Sequence, residues 1–230
     1  DQGRIIARFR RRFDGECWVV CKVVTGVVQS GSGASALHFA AGIFFPSKGL
    51  RRTTTMANIL ILYSTVDGHT RQICERLQEV VEHDDHRATV IPVDEAPVSE
   101  LASFDKIVIG ASIRYGKHRP AVAEFINANQ PVLETRPSAF FTVNAVARKP
   151  EKRRPETNPY LQKFLKQIHW KPAHLGVFAG KIDYSKYGFV DKTMIRFIMW
   201  ITKGPTDPDA VVEFTDWDDV AEFGRLISRM

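Results

Sequence analysis

Short apolar runs alternate with amphipathic stretches from residue 56 to the end of the chain. Five runs rich in β-branched and aromatic residues have the length and composition of strands: 57–63, 88–93, 106–111, 138–144 and 175–179. Apolar residues recur at helical spacing in four other segments: 73–81, 120–127, 160–168 and 216–227. This alternation predicts five βα units and a parallel sheet covered on both faces.

A doubly wound sheet of this kind binds ligands outside the carboxyl ends of its strands. Three strand ends carry polar residues and are the predicted site: the loop 64–70, the loop 112–116 and the loop that begins at Thr142. Two additions interrupt the repeat. One is a basic loop with three prolines at 145–159, and the other is a segment at 181–208 that is apolar with a basic edge.

The formal charge of +6 and the pI near 9.3 come from the first 55 residues alone. This leader carries nine Lys or Arg and three acidic residues, whereas residues 56–230 carry 23 of each sign. A basic leader could bind nucleic acid, but the rest of the chain gives no support for that partner. The apolar run of the leader, 18–28, is interrupted by Lys22 and is too short to span a membrane.

The origin of the leader has three interpretations. It is sequence translated ahead of a start at Met56, a fused segment or a targeting extension, and in the first two cases it is non-native or disordered. The domain proper is then 56–230. An odd number of cysteines, Cys17, Cys21 and Cys74, predicts a reducing compartment without disulfides, and no second Cys or His pair completes a metal site.

The turn after the first strand carries hydroxyls and a glycine before a helix: Ser64, Thr65, Val66, Asp67, Gly68, His69 and Thr70. Hydroxyls and backbone N–H groups at a helix start form a phosphate site without a basic side chain. Neither a P-loop nor a dinucleotide-binding glycine pattern is present. The turn predicts a bound monophosphate ester, with an ordinary capped strand-to-helix turn as the alternative.

This turn resembles the first loop of the flavodoxin-like family, which reads Ser/Thr-x-Thr-Gly-x-Thr. The resemblance implies FMN and a doubly wound five-stranded parallel α/β sheet of order 2-1-3-4-5, here with helices on both faces and a long loop after strand 4. Asp67 replaces the hydroxyl usual before the glycine, and its carboxylate would repel a phosphate. We expect Asp67 to turn outward or to accept backbone N–H bonds at the helix start.

The other two strand ends complete the predicted cofactor site. Tyr115 could stack on a flavin, and Arg114 could face its pyrimidine edge, where positive charge raises the reduction potential; a solvated turn is the alternative. The remaining predicted cofactor residues are Ala111, Ser112, Ile113, Gly116, Thr142, Val143 and Asn144.

Four sequence segments point to one group within the flavodoxin-like family: 110–116, 143–153, 184–199 and Thr215-Asp216-Trp217. Together they resemble the flavodoxin-like, menaquinone-dependent protoporphyrinogen IX dehydrogenases of bacterial haem biosynthesis, over 56–230 and not over the leader. The resemblance implies oxidation of protoporphyrinogen IX to protoporphyrin IX, removing six electrons in three two-electron steps, with menaquinone, ubiquinone or a related quinone as acceptor. The flavin N5 carries the chemistry, so no catalytic side chain is predicted, and neither His118 nor His169 is assigned a role.

The basic loop could bind the two propionates of the macrocycle, although a solvated loop has the same composition. Its candidate cations are Arg148, Lys149, Arg153 and Arg154. The segment 194–201, flanked by Lys192, Arg196 and Lys203, is a candidate interfacial helix. Because reoxidation by a membrane quinone requires the domain to lie on the bilayer, we expect a cytoplasmic protein that is peripheral on the cytoplasmic face of the inner membrane. A helix packed on the domain or on a second subunit of a homo-oligomer is the alternative.

Two other functions share this fold. A soluble flavodoxin that carries electrons between proteins tends to be strongly acidic, and the zero net charge of 56–230 argues against it. The sequence argues less strongly against the second function, an NAD(P)H:quinone reductase, than against the electron carrier.

Overall fold

The computed structural model describes residues 56–184, 193, 195–197, 199–200, 207 and 211–230, so the leader lies outside the described residues. Five parallel strands form one sheet of order β2-β1-β3-β4-β5, and this confirms the predicted doubly wound α/β sheet. The strands are β1 (Asn58–Ser64), β2 (Arg87–Pro92), β3 (Lys106–Ser112), β4 (Ser138–Asn144) and β5 (His174–Ala179).

Helices cover both faces of the sheet. They are α1 (His69–His83), α2 (Pro120–Ala128), α3 (Gln130–Thr135), α4 (Pro159–Leu165) and a C-terminal helix (Trp217–Arg229). Successive residues of β1 point to opposite faces: Ile59 and Ile61 pack with α1 and the C-terminal helix, and Leu60 and Leu62 pack with α2, α3 and α4. Two apolar layers therefore bury a sheet whose strands are apolar on both sides.

The segment after β2 differs from the predicted βα unit. Two short 3₁₀ helices, Val93–Glu95 and Val98–Ser103, connect β2 to β3 in place of an α-helix. Pro92 and Pro97 lie immediately before them, and Ala96 is extended, with ψ of 134°, as a residue before proline prefers. The prediction of five βα units is therefore wrong at this position, because the two prolines interrupt a helix.

The two central strands meet through a close contact between Gly110 of β3 and Phe141 of β4. A Cβ atom added to Gly110 would lie 2.1 Å from Cζ of Phe141, whose ring also packs edge-on against Phe178 and Phe223. Only glycine leaves room for this ring. The packing fixes the register of β3 against β4, whose carboxyl ends lead into the two later loops of the predicted site.

At the amino-terminal edge of the sheet, two side chains of the sheet layer bind the end of the C-terminal helix. Buried Lys106 donates from Nζ to the carbonyls of Ile227 (3.0 Å) and Ser228 (2.8 Å). His86 accepts a bond from the N–H of Ala57 at Nδ1 and donates from Nε2 to the Ser228 carbonyl at 3.0 Å. Carbonyls that a helix end leaves without intrahelical partners are thus satisfied by donors from this edge.

Beyond β5 the chain forms a two-stranded antiparallel ribbon, β6 (Lys181–Asp183) and β7 (Val211–Glu213). The loop after β4 contains two further 3₁₀ turns, Ala145–Arg148 and Pro150–Lys152. No helix in the described part of the chain is both long and apolar enough to cross a membrane.

Candidate active site at the carboxyl edge of the sheet

The loops after β1, β3, β4 and β5 surround a cavity of about 470 Å³. Twelve of the residues predicted from the sequence line it: Thr65, Asp67, His69, Thr70, Ser112, Ile113, Arg114, Tyr115, Gly116, Val143, Asn144 and Arg148. Predicted residues that do not line it are Ser64, Val66, Gly68, Ala111, Thr142, Lys149, Arg153 and Arg154. The fold therefore brings the three predicted strand ends together, while part of the basic loop lies elsewhere.

The loop after β1 and the residues that flank it offer hydrogen-bond groups to a ligand. Gly68 has a left-handed φ of +86°, precedes α1 without a side-chain cap, and donates its N–H to Thr65 Oγ1 at 3.0 Å. Buried hydroxyls of Ser64 and Thr70 make no hydrogen bond within the described residues. A buried hydroxyl without a partner costs free energy, so this loop suits an anion with several acceptor oxygens at the positive end of α1.

Asp67 and Arg114 join the loop after β1 to the loop after β3. Arg114 Nη1 lies 3.0 and 3.1 Å from the two carboxylate oxygens of Asp67, and both side chains are only partly exposed. Asp67 lines the cavity and pairs with Arg114, so the first of its two expected arrangements, an outward turn, is wrong, and the second, backbone N–H bonds at the helix start, stays a prediction. The pairing reduces the repulsion between the carboxylate and a bound phosphate.

Tyr115 presents an exposed ring at the rim of the cavity. Its side chain is 56% exposed, its φ is +49°, and the guanidinium of Arg114 lies 5.4 Å from the ring centroid. A left-handed conformation is uncommon for a residue other than glycine. It turns a flat aromatic toward the mouth of the cavity, where a planar ligand could stack on it.

The side chain of Thr142 does not line the cavity. It is fully buried, and its hydroxyl is 3.0 Å from Nε2 of His118, whose ring packs 4.3 Å from that of Phe164. Burial lowers the pKa of His118 to about 4, so this imidazole is neutral at physiological pH. The sequence places Thr142 in the cofactor site, whereas the structure places its side chain in the core.

Two asparagines organise the loop after β4. Asn144 Oδ1 accepts bonds from the N–H of Ala147 (3.0 Å) and from Asn158 Nδ2 (3.3 Å), and Asn158 Nδ2 also donates to the Lys152 carbonyl (2.9 Å). Asn144 Nδ2 is buried and has no partner in the described part of the protein, and the residue lines the cavity. This amide nitrogen is therefore a donor that a ligand in the cavity could use.

The four predicted substrate cations separate in space. Arg148 lines the cavity and donates from Nη1 to the Ala145 carbonyl at 2.9 Å, while burial lowers the pKa of its guanidinium and Tyr184 opposes that shift. Arg153 instead approaches Asp216 (3.5 Å) and Asp219 (3.7 Å) at the start of the C-terminal helix. Arg154 is exposed, and Lys149 is partly exposed outside the cavity.

Sequence reasoning missed several lining residues, which are Ala145, Val146, Tyr160, Gly180, Lys181, Ile182, Ile195 and Met199. Most of them come from the two additions to the βα repeat, where no periodic pattern assigns a position. It also missed the partner of His69. His69 Nε2 lies 2.6 Å from Thr215 Oγ1, which donates to the Ala179 carbonyl at 2.8 Å. The only hint of that contact in the sequence analysis is the Thr215-Asp216-Trp217 segment, which contains Thr215 and is one of the four segments that carry the family resemblance.

An apolar wall closes one side of the cavity. Ile182, buried Tyr184 and Met199 form a small cluster with Ile195 packed against it. The described residues of 193–200 are helical, and two of their rings, Phe197 (59% exposed) and Trp200 (70% exposed), stack at 6.2 Å on the outside. The other members of the predicted interfacial segment, Lys192, Met194, Ile198, Ile201 and Lys203, lie outside the described residues.

Residues 60–209 match the flavodoxin domain family. The chain is 43% identical over 171 residues to the Escherichia coli (strain K12) protoporphyrinogen IX dehydrogenase [quinone], covering 74% of this chain and 94% of the relative. It is 40% identical over 165 residues to the Leishmania major protein of the same name, covering 71% of each. A solved flavodoxin from the domain Archaea aligns with 14% identity and a TM-score of 0.44, over 75% of this chain and 96% of that one.

Proposed function

This chain belongs to the flavodoxin-domain family of quinone-dependent protoporphyrinogen IX dehydrogenases, and on that premise we propose that it oxidises protoporphyrinogen IX to protoporphyrin IX with a quinone as acceptor. The observation that carries the proposal is the match to 94% of the E. coli relative. The cavity supports it with a polar end at α1 and an apolar wall at Ile182, Ile195 and Met199.

The flavodoxin domain binds a flavin, and we propose FMN specifically. A bound FMN supplies two-electron redox chemistry at its isoalloxazine ring. The terminal phosphate of FMN would satisfy the unpartnered hydroxyl of Thr70, which lines the cavity, and would lie at the N-terminus of α1. Asn144 Nδ2 would donate to a polar edge of the ring.

The remaining cavity residues bind and orient the substrate. Protoporphyrinogen is a flexible, largely apolar macrocycle with two propionates. Val146, Ile182, Ile195 and Met199 would contact the macrocycle and exclude water from it, while Arg148 would bind a propionate. Lost protons can pass to water at the open mouth, and His118 takes no part because it does not line this cavity and its ring is bonded to Thr142.

We propose further that the protein works in the cytoplasm, peripherally on the inner membrane, and that menaquinone or a related quinone accepts the electrons. Exposed aromatic rings favour the headgroup region of a bilayer. Phe197 and Trp200 are such rings, and Ile195 and Met199 of the same helical stretch line the cavity. A quinone dissolved in the bilayer would then reach the cavity from the membrane side.

Anaerobic turnover tests the activity. FMN-loaded protein is mixed with protoporphyrinogen IX and a short-chain menaquinone analogue, and protoporphyrin fluorescence is followed. We expect porphyrin to form at a rate that depends on the quinone, and negligible quinone reduction with NADH or NADPH. Rapid reduction of the quinone by a nicotinamide, without porphyrin formation, would instead identify an NAD(P)H:quinone reductase. Flavin reduction only by partner proteins would identify an electron carrier.

Vesicle flotation tests the membrane proposal. Phe197→Ser combined with Trp200→Ser should abolish binding to vesicles that contain anionic lipid, since two interfacial rings are lost. Val98→Ser is the matched control, because Val98 is similarly exposed (57%) but lies in the segment between β2 and β3. Equal vesicle binding by the double variant and the control would refute this surface as the contact.

A further inference from the structure

Lys181 lies at the cavity beside the loop that carries Arg148. It is the first residue of β6 and follows β5 after the single residue Gly180. The N–H of Gly180 donates to the carbonyl of Asn144 at 3.3 Å, and Asn144 precedes the 3₁₀ turn that ends at Arg148. Two cations from adjacent strand ends therefore line one cavity.

The residue opposite Lys181 in the ribbon is Glu213 of β7. Opposite charges at such cross-strand positions usually pair. Here Glu213 Oε1 instead accepts a bond from the indole N–H of Trp217 at 2.7 Å. Among the residues that the structure describes, no carboxylate comes within ion-pair distance of Lys181.

The charges of the cavity are divided between its two ends. Asp67 is the only carboxylate among the described lining residues, and it pairs with Arg114 beside the loop after β1. Lys181 and Arg148 line the cavity together with Ile182, Ile195 and Met199. Positive charge beside apolar surface suits an apolar ligand that carries carboxylates.

We infer that Lys181 binds one carboxylate of the substrate while Arg148 binds the other, and that Trp217 is a positioning residue that holds Glu213 away from Lys181. This inference rests on the proposed function, since a tetrapyrrole with two propionates is the ligand that uses both cations. It assigns substrate contact to the ribbon beyond β5, a part of the chain outside the basic loop.

Porphyrin binding to the FMN-loaded protein tests the role of Lys181. The probes are protoporphyrin IX and its dimethyl ester, which has the same ring without the two charges. Lys181→Gln should weaken binding of the diacid about tenfold, as expected for loss of a bond to a charged group. Its affinity for the ester and for FMN should stay unchanged. Lys171→Gln, which removes an exposed lysine before β5, is the matched control and should change neither affinity.

Equal losses for the diacid and the ester would overturn the inference, because they would mean that Lys181 shapes the cavity rather than binds charge. Unchanged diacid binding would overturn it as well. In both cases wild-type turnover of protoporphyrinogen would leave the proposed function standing. A wild-type protein that neither binds the diacid nor oxidises protoporphyrinogen would refute the proposed function and this inference together.

A rescue experiment tests the role of Trp217. Trp217→Phe keeps an aromatic ring but removes the indole N–H, so Glu213 is released toward Lys181 and diacid affinity should fall about threefold to tenfold. Adding Glu213→Gln to that variant removes the competing charge and should restore the affinity. A double variant as weak as the single one would show that Trp217 acts through packing, and would overturn its positioning role.

Discussion

The two edges of the central sheet differ in whether their buried polar side chains are hydrogen-bonded to other parts of the described chain. At the amino-terminal edge, Lys106 and His86 donate to carbonyls at the end of the C-terminal helix. At the carboxyl edge, Ser64 Oγ, Thr70 Oγ1 and Asn144 Nδ2 are buried, and they have no partner in the described portion of the chain.

A buried polar atom without a partner costs about 1–3 kcal/mol of stability. At the amino-terminal edge, hydrogen bonds within the chain remove that cost. At the carboxyl edge, only a bound ligand would remove it. The residues of the first edge therefore stabilise the fold, and those of the second are suited to bind a cofactor. Substitutions at the first edge should therefore change the free energy of unfolding, and substitutions at the second should change ligand affinity.

The largest effect is expected at the amino-terminal edge. Lys106→Met leaves the carbonyls of Ile227 and Ser228 without their lysine donor, so the free energy of unfolding should fall by about 3 kcal/mol. FMN affinity of the folded protein should not change. Urea denaturation of the flavin-free protein measures the first quantity, and flavin titration measures the second. Exposed Lys171→Met is the control, and a shift in FMN affinity would contradict the separation of the two edges.

At the carboxyl edge, Thr70→Val should have the reverse effect. Loss of a hydroxyl bonded to a phosphate costs about 2 kcal/mol, so FMN affinity should fall about 30-fold. The stability of the flavin-free protein should be unchanged or slightly raised, because the unpartnered hydroxyl is removed. Riboflavin, which lacks the phosphate, should bind both proteins equally. An equal loss of riboflavin affinity would mean that Thr70 contacts the ring system instead.

His118 gives the carboxyl edge a pH-dependent stability. Its pKa is about 4 in the folded protein and about 6.5 when unfolded, so the unfolded chain takes up the proton first. Its contribution is complete above about pH 6.5 and is lost as the pH falls toward about 4. Because the side chain is partly exposed, we expect about 2 kcal/mol over that window.

Acid unfolding midpoints measured by circular dichroism check this contribution. His118→Gln keeps a hydrogen-bonding group for Thr142 but cannot be protonated, so its stability should change less between pH 6.5 and pH 4. The control is His83→Gln, because that side chain is 90% exposed. Identical pH profiles for His118→Gln and the wild type would contradict the assignment.

The smallest effect is expected from Asp67→Asn. Removing the carboxylate removes its residual repulsion of the phosphate, so FMN affinity should rise about threefold at low salt and less at high salt. Flavin titrations at two ionic strengths measure this change. Asp94→Asn, which breaks the exposed pair with Arg119, is the control. A fall in affinity would show that the Asp67–Arg114 pair aligns the two loops more than it repels the phosphate.

Periodicity predicted the sheet because each strand is a continuous apolar run that ends in polar residues. The same continuity explains the placement of Thr142. All seven residues of β4 are buried, so no alternation of polar and apolar positions indicates which face each side chain joins. Thr142 and Asn144 share one face of β4, and nothing in a fully buried strand shows that Asn144 at its end lines the cavity while Thr142 lies in the core.

Charged side chains were harder to place than strands. Asp67 and Arg114 are 47 residues apart, and Lys181 and Glu213 meet only through the ribbon, so their partners depend on the assembled fold. In the sequence, Lys106 is the polar first residue of a strand, and the carbonyls to which it donates lie more than 120 residues later. Composition shows that charges are present, but the geometry decides which of them are neutralised.

We propose that this carboxyl edge holds an FMN that protoporphyrinogen reduces directly. Anaerobic stopped-flow mixing of the FMN-loaded protein with protoporphyrinogen IX, without quinone, tests this proposal. We expect the visible absorbance of oxidised flavin to disappear as porphyrin appears and to return when a menaquinone analogue is added, and we expect no comparable bleaching by NADH. Flavin that stays oxidised with protoporphyrinogen but bleaches rapidly with NADH would refute the proposal.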